Sequence, residues 1–249
     1  MIYYANIFLP LIGVLTTGFL LSSSAFAQTA WNRPWDDPNV LIVIDPYAGN
    51  GVDWDKAVTD KRLKAVIHKA SEGLTPDPKF VDRANDAKKR GLLWGAYHLG
   101  RPGDPIAQAD LLLQLADKTG AKFLAIDIEA DDPSQYMSLS DAGKFMEYVH
   151  SKSGKYPAVY VNFSVYETIS RKYDKDSVFA KGPLWIARFK SELGLTSKRV
   201  WNDYTFWQFS SEINCSPSKK CFYRVPGTAT DMDVNVFRDD MSALKKLFD

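Results

Sequence analysis

Short apolar runs alternate with longer amphipathic stretches along most of this chain. The runs are LIVID (41–45), AVIHKA (65–70), LLWGAYHL (92–99), FLAIDIE (123–129), AVYVNF (158–163), PLWIARF (183–189), YTFWQFS (204–210) and MDVNVF (232–237). Their length and β-branched content read as eight strands. Helical periodicity separates the earlier ones, over 77–90, 105–119, 138–153 and 164–173. Gly91, Gly120 and Gly154 follow three of these segments, where a helix end favours a left-handed residue. The last three strands are joined by loops and weak helices, and a closing helix covers 239–247. Strand–helix alternation predicts parallel βαβ units and an α/β fold. Eight strands in so short a chain point to a (β/α) barrel with helices missing between the last strands. The competing open doubly wound sheet wants a glycine-rich phosphate turn after its first strand, and DPYAGNG (45–51) does not match G-x-G-x-x-G.

The first residues do not fit that pattern. Residues 7–21 are almost wholly apolar, and SSSAFA (22–27) then supplies an A-x-A cleavage site, although MIYYAN carries no Lys or Arg. This reads as a signal peptide of residues 1–27, cut before Gln28, leaving 28–249 as a single catalytic barrel domain. A retained anchor is the alternative, because 7–27 nearly spans a bilayer. Cleavage would make the protein secreted or periplasmic, with no stable membrane insertion afterwards. Cys215 and Cys221 share one polar loop and should pair in an oxidising compartment. Closing so short a loop is worth only about 2 kcal/mol, so the bond would shape the loop rather than hold the fold. With two Cys and three scattered His, no zinc site is expected, nor any other cofactor. Lys and Arg number 31 against 30 Asp and Glu, which gives no electrostatic reason to bind nucleic acid. Aromatics reach 13%, with seven Trp and twelve Tyr, and suit flat apolar ligands. The domain is expected to act as a monomer.

Polar residues cluster at the C-terminal ends of the strands. Asp45, Lys69 and Glu72, Tyr97 and His98, Asp127 and Glu129, Tyr160 and Asn162, Arg188, Gln208, and Asp233 and Asn235 all fall there. In a β/α barrel the C-terminal strand ends carry the active site. In FLAIDIE, alternation puts Asp127 and Glu129 on the face of Phe123 and Ala125, and turns Leu124, Ile126 and Ile128 toward the helix layer. Two carboxylates on one buried face compete for one proton, and such a pair is what glycoside hydrolysis needs. Barrel closure makes Asp45 and Asp233 neighbours, although alternation alone leaves open whether Asp231 or Asp233 faces inward. Four carboxylates could instead hold a divalent cation, but no dense acidic loop accompanies them. Trp94, Tyr97, Tyr160, Trp185, Trp207 and Phe209 could stack on sugar rings. Trp94, out of phase with Tyr97, reads as core. Tyr160, Trp185, Arg188, Trp207 and Gln208 are candidate substrate-binding residues.

These stretches resemble the glycoside hydrolase family 25 lysozymes, the Chalaropsis-type muramidases. The likeness lies in IDPYAGNGVDW (44–54), VIHKASEG (66–73), GLLWGAYHL (91–99), QAD (108–110), LAIDIE (124–129), YPAVYVN (156–162), PLWIAR (183–188), WQFS (207–210) and MDVNVF (232–237), in that order. It implies a short (β/α) barrel that cleaves the β-1,4 bond between N-acetylmuramic acid and N-acetylglucosamine in peptidoglycan glycan strands. By the resemblance, Glu129 is the general acid, and Asp127 assists the substrate's N-acetyl group or stabilises the cation. Asp45 and Asp233 are the further acidic residues, while Glu72 and Tyr97 line the substrate. The chain departs from the family pattern at Tyr47 and Asn50, where Ser and Gln are usual nearby, and in the cysteine loop. A chitinase-like glycosidase would carry D-x-x-D-x-D-x-E, and KFLAIDIE (122–129) has too few aspartates. A non-catalytic wall-binding protein would be favoured by loss of Asp127 or Glu129, and both are present.

Overall fold

The apolar runs become the staves of a barrel. The computed structural model describes Met1, residues 33–215 and residues 221–249. The expected signal peptide and the tip of the cysteine loop lie outside the described residues. The strands are β1 (Leu41–Ile44), β2 (Leu63–Glu72), β3 (Thr75–Pro76), β4 (Leu93–Leu99), β5 (Phe123–Ile128), β6 (Ala158–Asn162), β7 (Leu184–Ala187), β8 (Phe206–Ser210) and β9 (Val234–Phe237). Their order is β1-β9-β8-β7-β6-β5-β4-β2, and pairing of β1 with β2 closes the ring. The two-residue β3 turns back on the end of β2 and is not a stave.

Seven staves run parallel, but β9 is antiparallel to both β8 and β1. This corrects the expectation of parallel units throughout. A parallel partner needs a crossover that carries the chain back to the other end of the barrel. Among the described residues no helix does so after β8, and the chain enters β9 from the mouth end. Asp233 therefore reaches the mouth from the N-terminal end of its strand, not the C-terminal end.

The helices are α1 (Trp54–Ala57), α2 (Phe80–Lys89), α3 (Pro105–Thr119), α4 (Leu139–Ser153), α5 (Phe163–Lys172), α6 (Val178–Lys181) and α7 (Met241–Phe248). The single-turn α1 and α6 are too short to leave a periodic signal. Gly91, Gly120 and Gly154 have φ of 76°, 69° and 76°, the left-handed geometry their positions ask for. Asp104 and Ser138 cap α3 and α4 through their side chains.

Alternation sorts the strands into two cores. Leu124, Ile126 and Ile128 face outward with Phe145, Met146 and Val149 of α4. Val43, Ile67, Phe123, Ala125, Trp185 and Phe206 fill the inside. The lower end is plugged by α7, whose Phe248 stacks on Phe123 at 4.9 Å. Gly95 makes room for that stack, because a Cβ there would stand 3.0 and 3.1 Å from the two rings. Where helices are missing, the segment before β1 covers the barrel. Trp35 is sandwiched between Phe209 (4.9 Å) and Phe222 (4.6 Å), each contact worth about 0.5–1.5 kcal/mol beyond its buried area. That segment, which precedes the first strand, is thereby part of the domain wall. Cys215 and Cys221 are joined by a disulfide in the loop between β8 and β9. Among the described residues, no helix is long and apolar enough to cross a membrane.

Candidate active site

The inward face of each stave turns polar at the upper end. On β5, Phe123 and Ala125 belong to the inner core, Asp127 follows on the same face, and Glu129 stands just past the strand. Asp45 lies one residue beyond β1 and Asp233 one residue before β9. With Tyr97, Tyr160, Trp185 and Gln208, these four carboxylates line one cavity of about 40 Å³, room enough for an ordered water.

A chain of hydrogen bonds holds Asp45 from below. The Tyr160 hydroxyl donates to Gln208 Oε1 (2.8 Å), and Gln208 Nε2 donates to Asp45 Oδ2 (2.8 Å). Asn235 Nδ2 donates to Asp45 Oδ1 and to the Val43 carbonyl, while Trp185 Nε1 donates to Asn235 Oδ1 at 2.6 Å. Both oxygens of Asp45 are thus taken. Asp127 differs: its Oδ1 is buried without a hydrogen-bond partner, a costly state unless a ligand supplies the donor. Glu129 is anchored through its backbone, since Asn162 Nδ2 donates to its carbonyl at 2.6 Å while Asn162 Oδ1 caps α5.

Burial and crowding make these acids weak. Burial first, then the charges of Glu129 and Asp45, push Asp127 well above the usual carboxylate range. Asp45 is raised well up by burial and by Asp233, against the pull of the Asn235 and Gln208 amides. Burial also raises Glu129, with the Asn162 amide and the Arg101 charge opposing. Asp233 rises from 3.8 to about 7 through burial and the charges of Glu129, Glu212 and Asp231. Because the folded value is the higher one, the stability tied to Asp233 is full below about pH 3.8 and is lost as the pH rises through about 7. Asp233→Asn should therefore gain stability relative to the parent between pH 4 and pH 8, by up to about 4 kcal/mol. Thermal melts of both proteins at the two pH values check this, and a gap that does not change with pH would contradict it.

Beside the cavity, Glu72 accepts from Arg101 Nη2 (2.6 Å) and Lys69 Nζ (3.2 Å). Burial opposes ionisation there, yet the two cations prevail and hold Glu72 below its usual value. Arg101 is itself held by Gln108, which accepts from its N–H (3.0 Å) and donates to its carbonyl (2.8 Å). Gln108 Oε1 also faces His98 Nε2 (3.0 Å), whose Nδ1 meets Ser71 Oγ (2.8 Å). His98 is neutral, pushed down to about 4 by burial. It points outward, opposite to Tyr97, as alternation requires.

The model of the glycosyl hydrolases family 25 matches residues 44–217, the stretch that supplies three of the four carboxylates. The chain belongs to glycosyl hydrolase family 25. It is 32% identical over 171 residues to an autolytic lysozyme of Clostridium acetobutylicum, covering 67% of this chain and 49% of the relative. The chain thus spans about half the length of that curated relative. Among solved structures, a muramidase from Trichobolus zukalii superposes with a TM-score of 0.64 at 25% identity, over 84% of this chain and 98% of the other. A Streptomyces coelicolor lysozyme shares the fold with a TM-score of 0.67 at 22% identity, over 85% and 98%.

Not every candidate reaches the cavity of this family 25 chain. Asp45, Asp127, Glu129, Asp233, Tyr97, Tyr160, Trp185 and Gln208 do; Glu72, Arg188 and Trp207 do not. Trp185 is 1% exposed and forms the floor. Arg188 lies over the Phe163 ring at 3.7 Å and donates to the carbonyls of Leu193 and Gly194, organising the loop after β7. Trp207 is fully buried on the outer face of β8, and its Nε1 donates to the Arg188 carbonyl at 2.8 Å. Since Gln208 faces inward, its neighbour Trp207 must face outward, so the sugar-stacking role read for it from sequence is replaced by a core role. Trp207→Ala is expected to cost about 3–5 kcal/mol of stability, measured by denaturant unfolding. A loss under about 1 kcal/mol would contradict the core role.

Asn235, Asn162 and Asn50 carry functions that the sequence reading left unassigned. Asn235 is the polar residue inside an apolar strand, and that interruption was its signal. Asn50, one of the departures from the family pattern, accepts from the Tyr47 N–H (2.9 Å) and donates to the carbonyl and Oδ2 of Asp231 (2.9 and 3.0 Å). This ties Asp231 to the loop after β1, while Asp233 faces the cavity. Among the described residues, no group of three or more His, Cys, Asp or Glu is arranged to hold a metal ion.

Proposed function

We propose that this chain is an exported, monomeric muramidase that hydrolyses the β-1,4 bond between N-acetylmuramic acid and N-acetylglucosamine in peptidoglycan. The observation that carries the reading is the convergence of Asp45, Asp127, Glu129 and Asp233 on one cavity in a family 25 chain. Glu129 donates its proton to the glycosidic oxygen as the C1–O bond breaks. The carbonyl oxygen of the substrate's own acetamido group closes on C1, and Asp127 accepts a hydrogen bond from the acetamido N–H. The orphaned Oδ1 of Asp127 supports that role, because it is a buried acceptor awaiting a donor. Water then attacks C1 as the bond from the acetamido oxygen to C1 breaks, restoring the acetamido group, and gives its proton back to Glu129.

Substrate binding also sorts the proton between the two acids. In the free protein burial raises both acids, and the charge of Glu129 adds to the rise at Asp127. An acetamido N–H on Oδ1 favours the Asp127 anion, and that anion then disfavours a second charge on Glu129. The proton thus rests on the group beside the leaving oxygen. Asp45, held by two amides, and Asp233 shape the field of the pocket.

Purified peptidoglycan incubated with the protein tests the reading, with the new reducing ends identified by mass spectrometry. Muramic acid ends are expected; glucosamine ends would mean another glycosidase, and no new ends a binding protein. The apolar run and A-x-A site support export with removal of residues 1–27, and the intact mass of the exported protein reports whether it begins at Gln28.

A further inference from the structure

A groove of about 660 Å³ opens beside the catalytic cavity, bordered by the loop after β1, the β2–β3 turn and the turn after β4. None of the steps above uses it. Lys69 joins the two openings: it pairs in register with Tyr97, which lines the cavity. The charges of Lys69 and Arg101 also reach Asp127 and Glu129, respectively.

Two features of the groove point to its ligand. First, two cations and one carboxylate face its opening, since Lys69 and Arg101 share Glu72. The other acid in the wall, Asp77, is buried, and its oxygens accept from the backbone N–H groups of Ala48 (2.8 Å) and Lys79 (2.9 Å). Second, it presents apolar surface to solvent. Tyr47 is 43% exposed and Leu74 66% exposed, two of the few large hydrophobic side chains left uncovered among the described residues. Tyr47 is also fixed in place: its ring lies against Gly49, where a Cβ would collide with it, and under Lys69 Nζ at 4.8 Å.

A bare glycan strand offers no chemistry for that combination, since an aliphatic Leu74 and two cations sharing one accessible carboxylate are poor partners for sugar hydroxyls. The muramyl sugar differs from its neighbour by a lactyl group to which a short peptide is amide-linked. Such a peptide brings methyl groups and free carboxylates. We infer that this groove seats the acidic peptide arm of the muramyl residue, with Tyr47 and Leu74 against its aliphatic groups and Lys69 and Arg101 toward its carboxylates. The inference rests on the muramidase reading and adds to it that the substrate is peptide-bearing glycan.

Initial rates on two substrates test it: un-cross-linked strands with their peptides, and the same strands after hydrolysis of the lactyl amide. The KM should be about tenfold lower on peptide-bearing strands, with kcat little changed, because contacts remote from the bond act on ground and transition states alike. Tyr47→Ala and Leu74→Ser alter exposed side chains, so folding is not at stake. Each should raise KM on peptide-bearing strands toward the bare-strand value and leave bare-strand KM where it was. Equal KM values for the two substrates in the parent would overturn the inference. So would variants that raise KM on both substrates alike, since the groove would then hold sugar. Turnover of neither substrate would instead remove the muramidase reading itself.

Discussion

Glu129→Gln is expected to lower kcat on peptidoglycan by about 10²–10⁴-fold while leaving KM within about twofold. Glutamine keeps the shape and can still hydrogen-bond the glycosidic oxygen, but it has no acidic proton to give. The loss falls on the transition state alone, where the leaving oxygen gathers charge. The surroundings are not disturbed, because Glu129 is anchored by its carbonyl to Asn162. Stability should not fall, since the substitution removes a carboxyl that burial disfavours. Steady-state kinetics with soluble glycan strands measure the effect. Near-parental kcat would move the acid role to Asp45 or Asp233.

Asp127→Asn should be crippling for a different reason, with a loss again of about 10²-fold or more. The buried Oδ1 that awaits an acetamido N–H could become an amide N–H, presenting a donor to a donor. Even with the amide turned the other way, the negative charge that stabilises the closing ring is gone. The pH profile separates this from a structural defect. Without the Asp127 anion beside it, Glu129 gives up its proton more easily. The alkaline limb of kcat should therefore move to lower pH, which a merely misfolded fraction would not produce. An unshifted limb with reduced amplitude would sink the coupling of the two acids.

Asp45→Asn and Glu129→Gln also differ in what surrounds the changed group. Asp45 is the hub of the Tyr160–Gln208–Asp45–Asn235–Trp185 chain, none of which follows from the LIVID run. Hydrogen bonds between residues some 190 positions apart carry no local signature. Sequence reading placed Asp45, Tyr160 and Gln208 at strand ends and could go no further, and it put Asn235 at the wrong end of a strand that runs antiparallel. It erred at Trp207 through neglect of alternation, the rule that had worked for FLAIDIE, where Phe123 and Ala125 lie inside and Leu124, Ile126 and Ile128 outside.

What the local sequence settled follows from interactions within a few residues. The strand and helix positions, the glycine stops after the helices, the inner and outer faces of β5, and the Asp127–Glu129 pair all rest on backbone geometry and side-chain alternation. Long-range closure decided the rest. The chain enters β9 antiparallel to both its neighbours, which no local pattern marks, and Asp233 therefore approaches from above. Trp35 became part of the wall because missing helices left Phe209 and Phe222 uncovered. Asn50 ties Asp231 to the loop after β1 by hydrogen-bonding across 181 positions, while Asp233 faces the cavity. The acidity of the four carboxylates likewise depends on burial and mutual repulsion, and both arise only once distant strands share one mouth.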